Sequence, residues 1–283
     1  MAAVVRSIGV GAILALCCWV SINYTRLPGN LSTLWIASGV LAGILLTSPR
    51  AAWSGCVIAA FAGNVLVRAV HGDSWHSILA FGFASTFDAV LVASLLKRWA
   101  GDVTDPASMT RVASFAIASA IGACALSGAI AASARTAFDG VPFPSVFMPW
   151  FAAHTLGMVI FATLTVVARA QGLRLLGRPG HRLDLALLTA FTGAICVAVF
   201  TLPSFPFLFL VYPPLMINAF RHRFSGVFAG IGLVTLIAVA ETLSGHGPLY
   251  LIPNLAPGDR ILVLQLFIAS TCLLSLPVAI VMT

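Results

Sequence analysis

The chain has 283 residues, 60% of them hydrophobic and 8% charged, with 15 Lys and Arg against 8 Asp and Glu. A water-soluble domain of this length needs a charged surface that so few ionisable side chains cannot supply, so the composition excludes one and requires lipid as the covering. The net charge of +7 comes without a basic helix or an aromatic platform, which leaves nucleic-acid binding without a basis.

Apolar runs of roughly 17–25 residues, the length that crosses a ~30 Å hydrocarbon core, fall at residues 4–24, 31–48, 51–70, 76–97, 109–132, 146–168, 184–202, 204–220, 224–243 and 260–282. The expected fold class is all-α: a polytopic membrane helix bundle of about ten transmembrane helices. The first run follows Arg6 but ends in CCWVSINYT, without the small-x-small cleavage pattern of a signal peptide, and reads as a retained helix. The second and eighth runs are short, and the eighth contains Pro213 and Pro214, so broken or re-entrant pieces are expected there and eight crossings remain open.

The fifth run carries two neighbouring rows of small residues, Ser119, Ala123, Ser127 and Ala131 beside Ala116, Ala120, Cys124, Gly128 and Ala132. Gly226 and Gly230 repeat the device in the ninth. Lipid provides no hydrophobic drive between helices, so such rows mark close packing. No repeat of fixed period and no soluble domain interrupts the chain, and residues 1–283 read as one membrane domain.

With the N-terminus inside, the inner loops collect Arg6, Arg50, Lys97, Arg98, Arg111, Arg169, Arg174, Arg178, Arg182, Arg221 and Arg223, which is 11 of the 15. Arg26, Arg68, Arg135 and Arg260 fall outside. The positive-inside rule therefore predicts that both termini face the cytoplasm.

Asp88 lies near the middle of the fourth run, about 12 residues (~18 Å at helical rise) from its outer end. An ionisable group at that depth costs a few kcal/mol unless it faces protein or trapped water, and it normally has a partner. Asn64 sits at similar depth on the third run with Arg68 one turn further out. His154 lies in the outer third of the sixth, beneath Trp150. These depths suggest an outward-opening polar pocket between the third, fourth and sixth runs. Asp88 reads first as a packing latch, protonated or bonded to Asn64, Ser85, Thr86 or a neighbour, then as a ligand or ion contact, and last as a proton-transfer group.

Elsewhere the chemistry is thin. His71, Asp73 and His76 in HGDSWH have no helical metal-ligand spacing, and Glu241 and His246 read as interfacial. Cys17, Cys18, Cys56, Cys124, Cys196 and Cys272 all lie in apolar runs without a CxxC pair, and read as packing residues. No GxSxG, Walker or HExxH motif is present, so no catalytic residue, metal or cofactor is expected. The segment ARTAFDGVPFPSVF, with Phe138, Phe143 and Phe147, reads as an interfacial loop or a lid over the pocket.

Several diffuse motifs then line up in order: Leu34-Trp35-Ile36-Ala37-Ser38-Gly39, Trp53-Ser54-Gly55 leading to Gly63-Asn64, Phe87-Asp88-Ala89 ahead of Leu95-Leu96-Lys97-Arg98, Trp150 with His154-Thr155-Leu156-Gly157, and Pro214 to Arg223. Together they resemble the membrane-associated sensor domain of the first MASE type, a bacterial integral-membrane sensory module, over essentially the whole chain. Ile36 and Ala37 stand where that family usually has prolines, Asp88 where it more often has Glu, and His154 where it more often has Asp.

The resemblance implies a multi-pass input module of the bacterial inner membrane. It would detect an unidentified small-molecule or membrane-derived signal and act, as a homodimer through its last helix, on a cytoplasmic output domain after residue 283. That output would be a diguanylate cyclase, a cyclic di-GMP phosphodiesterase or a histidine kinase. The resemblance also brings Trp35 into the candidate pocket with Asp88, Asn64, Arg68, His154 and Trp150. The alternatives are a small-molecule transporter, a substrate-binding membrane subunit, or a scaffold.

Overall fold

The computed structural model describes residues 2–25, 32, 34–99, 109–172, 177, 180–202 and 207–282. Arg26, Arg174 and Arg178 of the charge pattern lie outside these residues, as do the side chains of Arg6 and Arg111. The helices are α1 (Ala2–Thr25), α2 (Ile36–Leu46), α3 (Trp53–Val70), α4 (Trp75–Trp99), α5 (Met109–Asp139), α6 (Phe143–Gly157), α7 (Thr163–Gln171), α8 (Arg182–Thr201), α9 (Tyr212–Leu243) and α10 (Pro257–Val281). A π-helical turn, Met158–Ala162, joins α6 to α7. They fall into two compact units, Met1–Val166 and Val167–Thr283.

By length and composition, eight helical stretches among the described residues are long and apolar enough to cross a membrane. The protein is thus a polytopic helical membrane bundle. Their outward faces are apolar: Ile58, Leu66 and Val70 form an exposed stripe on α3, and Trp75, Leu79 and Phe83 form one on α4. In water these stripes would be costly. In a bilayer they are the solvent-facing surface.

The short second run is where the first unit departs from a simple bundle. Its helix, α2, has 11 residues, or about 16 Å at 1.5 Å per residue, half of a hydrocarbon core. It starts abruptly because Trp35 is extended and its amide donates to the Ala153 carbonyl at 3.3 Å, outside any helix. It stops at Thr47, whose hydroxyl donates to the Gly43 carbonyl at 2.8 Å, two residues before Pro49 forbids continuation. Nine of its residues are buried, so α2 is an inner helix.

Glycines let it lie there. A Cβ at Gly39 would run into the Gly157 carbonyl oxygen, one at Gly157 into the Trp35 carbonyl oxygen, and one at Gly43 would come within 2.5 Å of Thr165 Cβ. Backbone therefore packs on backbone where α2 begins and α6 ends, the approach that small residues permit in lipid.

Helix α1 runs parallel to α3, since a Cβ at Gly55 would meet Ser7, one at Gly11 would meet Ala59 and one at Gly63 would meet Ala15. The chain between them must therefore return across the unit, and α2 lies on that return. The second unit repeats this path. There α8 runs parallel to the later part of α9, with Gly193 against Leu233 and Cys196 against Val234, and Phe200 meets Gly247 just beyond the end of α9.

The returning piece in the second unit is residues 212–222. Helix α9 contains a reversal at Arg223, whose φ of 54° and ψ of −132° are non-helical. Around it the two arms fold back on each other: a Cβ at Gly226 would strike the Asn218 carbonyl oxygen, and one at Gly230 would come within 2.5 Å of Leu215 Cδ1. The eighth and ninth runs of the sequence are therefore separate arms, as their prolines and arginines imply.

The likeness between the units extends to sequence. Arg50-Ala-Ala-Trp53-Ser54-Gly55, after α2, and Arg221-His-Arg-Phe224-Ser225-Gly226, across the reversal at Arg223, both lead out of the short return piece. Each short helix also begins at an aromatic residue whose polar end bonds a serine on the long helix after next: Trp35 Nε1 donates to Ser85 Oγ at 2.7 Å, and Tyr212 Oη lies 2.6 Å from Ser270 Oγ. A search for a fixed period misses this repeat because its parts are offset unequally.

The segment read as an interfacial loop or a lid is not a loop. Residues 134–139 belong to α5 and 143–147 to α6, with a three-residue turn between them. Phe143, Phe147 and Phe151 stack along α6 at 5.5 and 5.9 Å. Polar turn residues proved compatible with continuing both helices.

Gly157→Ala should lower stability by about 1–3 kcal/mol, the cost of overpacking, whereas Gly9→Ala, with nothing within 4 Å of the new methyl, should not lower it. Thermal unfolding of the detergent-solubilised chain measures both.

Candidate functional site

Asp88 sits on the inner face of α4, one turn beyond Ser85 and opposite the stripe that faces lipid, and is 0% exposed. The ring of His154, from α6, donates from Nδ1 to Asp88 Oδ2 at 2.7 Å. Ser127, from α5, donates to the same oxygen at 3.1 Å and accepts the Trp150 indole N–H at 3.1 Å. Asp88 Oδ1 has no hydrogen-bond partner among the described residues. A buried carboxyl is thus held from one side by two other helices.

The imidazole is clamped between two indoles. Trp150 stacks on it with centroids 4.0 Å apart and planes at 14°, and Trp35 lies over the other side at 5.5 Å and 10°. The Arg68 guanidinium lies over Trp35 at 5.0 Å and over Phe81 at 4.7 Å, and Phe81 in turn contacts Trp150 at 4.9 Å. Arg68, Trp35, His154, Trp150 and Phe81 thus close a ring of one cation and four aromatic groups. Cation–π attraction grows when the cation is desolvated, as this one is.

Arg68 also has conventional partners. Its Nε donates to Asn64 Oδ1 at 3.0 Å and its Nη1 to Asp73 Oδ2 at 3.0 Å. Ser38, in the first turn of α2, donates to the Ser85 carbonyl at 2.9 Å and reaches to 3.5 Å from His154 Nδ1. The small-residue face of α5 makes room for the aromatics: a Cβ at Gly128 would lie 3.3 Å from both Phe147 and Trp150.

Of the residues read from sequence, Asp88, His154, Trp150, Trp35, Arg68 and Asn64 all join this one cluster. Two features of the expectation change. The cluster is closed, with every member buried, where an outward-opening pocket was expected; stacking of the indoles on His154 and the Arg68–Asp73 pair above them fill the space. The linking helices are α2 and α5 as well as α3, α4 and α6. Ser127, Ser85, Ser38 and Phe81 were not singled out, because a serine or phenylalanine in an apolar run carries no sequence signal of its partner.

The outer HGDSWH turn disperses its ligand-like residues: His71 Nε2 meets Asn23 at 3.0 Å, Asp73 meets Arg68, and His76 meets Asp139 at 2.8 Å. Among the described residues no group of three His, Cys, Asp or Glu side chains gathers for a metal. Glu241 and His246 pair at 3.6 Å, and Cys18, Cys56, Cys124, Cys196 and Cys272 are buried and in no disulfide.

The family model described as MASE1 matches residues 4–283, essentially the whole chain. The chain belongs to the MASE1 family. It is therefore a membrane-associated sensor domain, integral to the membrane and non-catalytic. No curated protein and no solved structure matches this MASE1 chain.

Removing one partner of a buried, hydrogen-bonded pair strands the other, so Asp88→Ala should destabilise this MASE1 domain by about 3–5 kcal/mol. A double-mutant cycle of Asp88→Ala with His154→Ala, read by denaturant unfolding in detergent, should give a coupling of about 1 kcal/mol or more. A cycle of Asp88→Ala with Glu241→Ala should give none.

Proposed function

We propose that this sensory domain regulates a cytoplasmic output domain joined beyond residue 283, in cyclic di-GMP or two-component signalling, and that the Asp88–His154 core is the element its signal biases. The observation that carries this reading is the position of the pair: one contact, at 2.7 Å, ties α4 to α6 while Ser127 adds α5 and the stacked indoles add α2. A small-molecule or membrane-derived signal that favours another packing of these helices must break or reorganise that contact. It can shift the balance only by its differential binding energy. The shift would pass along the helices to α10 and to a homodimer partner.

The reading places the domain in a bacterial inner membrane with both ends cytoplasmic, which the distribution of Arg and Lys supports. Fusions of a cytoplasm-active fluorescent protein and a periplasm-active phosphatase after residue 283 should be fluorescent and inactive respectively; the reverse pattern rejects this topology.

A chimera joining the chain to a diguanylate cyclase tests the function. Asp88→Asn should leave expression and membrane insertion intact and change cellular cyclic di-GMP at least several-fold. Folded variant protein with wild-type output across growth conditions rejects the role of the pair.

One observation favours a second reading. The repeated path, with a short helix starting deep inside each unit, is also how transporters build midplane sites. Accumulation of a solute by vesicles carrying the chain without an output domain would favour transport.

A further inference from the structure

Where α2 ends, α3 begins and α4 ends, the first unit gathers positive charge. Lys97, in the last turn of α4, reaches the turn between α2 and α3: its ammonium donates to the Ser48 carbonyl and lies 5.6 Å from the centre of the Trp53 ring. The Trp53 indole is fixed there by its own N–H, which donates to the Leu45 carbonyl at 3.0 Å. Arg50, exposed at the entry to α3, is close enough for its charge to act against the Lys97 ammonium.

Like charges held side by side call for a counter-charge, and among the described residues this end of the unit supplies none. Asp73 pairs with Arg68, and Asp139 with His76 and Arg135, at the opposite end of α4, while Asp88 is sealed in the middle. The sequence joining α4 to α5 holds Asp102 and Asp105, but Arg98 and Arg111 flank them, so positive charge stays in excess. Lys97 uses one proton on Ser48, where the carbonyl end of α2 favours a cation, and keeps two. Arg50 presents a planar fork of donors, the geometry that grips a phosphate from two sides.

The surroundings of the two cations select the kind of phosphate. Arg50 heads the face of α3 that carries exposed Ser54 and then Ile58, Leu66 and Val70, the stripe that acyl chains cover. Trp99, 65% exposed, stands two residues past Lys97, and indoles so placed settle where headgroups meet hydrocarbon. A soluble anion would use the cations alone, whereas a phospholipid uses the cations and the stripe together. We propose that Arg50 and Lys97 form a binding site for the headgroup of an anionic phospholipid whose acyl chains lie along α3. The site is at the far end of α2 from Trp35, shares no residue with the Asp88 cluster, and does not rest on the sensory reading.

The test uses the full chain purified in detergent and titrated, in mixed micelles, with phosphatidylglycerol or phosphatidylcholine of matched acyl chains. Binding predicts an unfolding temperature that rises and saturates with phosphatidylglycerol but not with phosphatidylcholine. Arg50→Gln, at an exposed position, should weaken the apparent affinity about fivefold, the effect of one basic residue at an anionic lipid surface. Arg169→Gln, which removes an equal charge from an exposed position on α7, should not. In the unaltered chain a photoactivatable phosphatidylglycerol should crosslink to residues 47–58 or to the last turn of α4, a result that decides the matter even if the Arg50 variant does not fold. Equal stabilisation by phosphatidylcholine or by inorganic phosphate, undiminished affinity in the folded Arg50 variant, an equal loss in the Arg169 variant, or crosslinks confined to other helices would each overturn the proposal.

Discussion

A carboxyl group sealed inside a lipid-covered bundle is the constraint from which the rest of the first unit follows. Asp88 is fully buried and away from the acyl chains, so the surrounding helices must bring a donor to it. His154 does so at 2.7 Å, and Ser127 adds a second bond. The neighbours then have to fix the donor itself. Two indoles clamp the imidazole, one of them placed by the extended start of α2 and the other held by its own N–H on Ser127. The glycines of α2 and α6 belong to the same requirement, since only their lack of a side chain lets Trp35 come so close to the end of α6.

Much of this could be read before any coordinates. Composition and run length were enough for a polytopic helical bundle, because crossing a bilayer imposes a length that few other folds require. The shortness of the second run and the prolines of the eighth pointed to helices that do not span in the ordinary way. The similar depths of Asp88 and Asn64, with His154 in the outer third of its run, pointed to one side of the bundle, and these residues do fall in one cluster.

What could not be read depends on rotation and neighbourhood. A helix can carry Asp88 at the midplane on any azimuth, and the sequence does not say which helix lies opposite. The closed character of the cluster was missed for that reason: two tryptophans 115 positions apart stack on one ring only once α2 and α6 are known to touch. The repeat was missed for another. Its signature is six residues long in each copy, Arg50 to Gly55 and Arg221 to Gly226, and most of the likeness lies in the direction of helices and in a bond from an aromatic residue to a serine.

The distance along the chain between Asp88 and His154 also bears on biogenesis. The two are 66 residues apart, on helices separated by all of α5. During synthesis α4 must enter the bilayer with its acid before the histidine has left the ribosome, bearing a penalty of about 2.5–3.5 kcal/mol on the insertion scale. Arg68 faces no such delay, since Asp73 follows it by five residues. Helix α4 is therefore delivered to the membrane incomplete. Its proper seating must wait for the translation of α6, which makes the insertion machinery, or the lipid beside it, a temporary host for an acid that the finished protein hides.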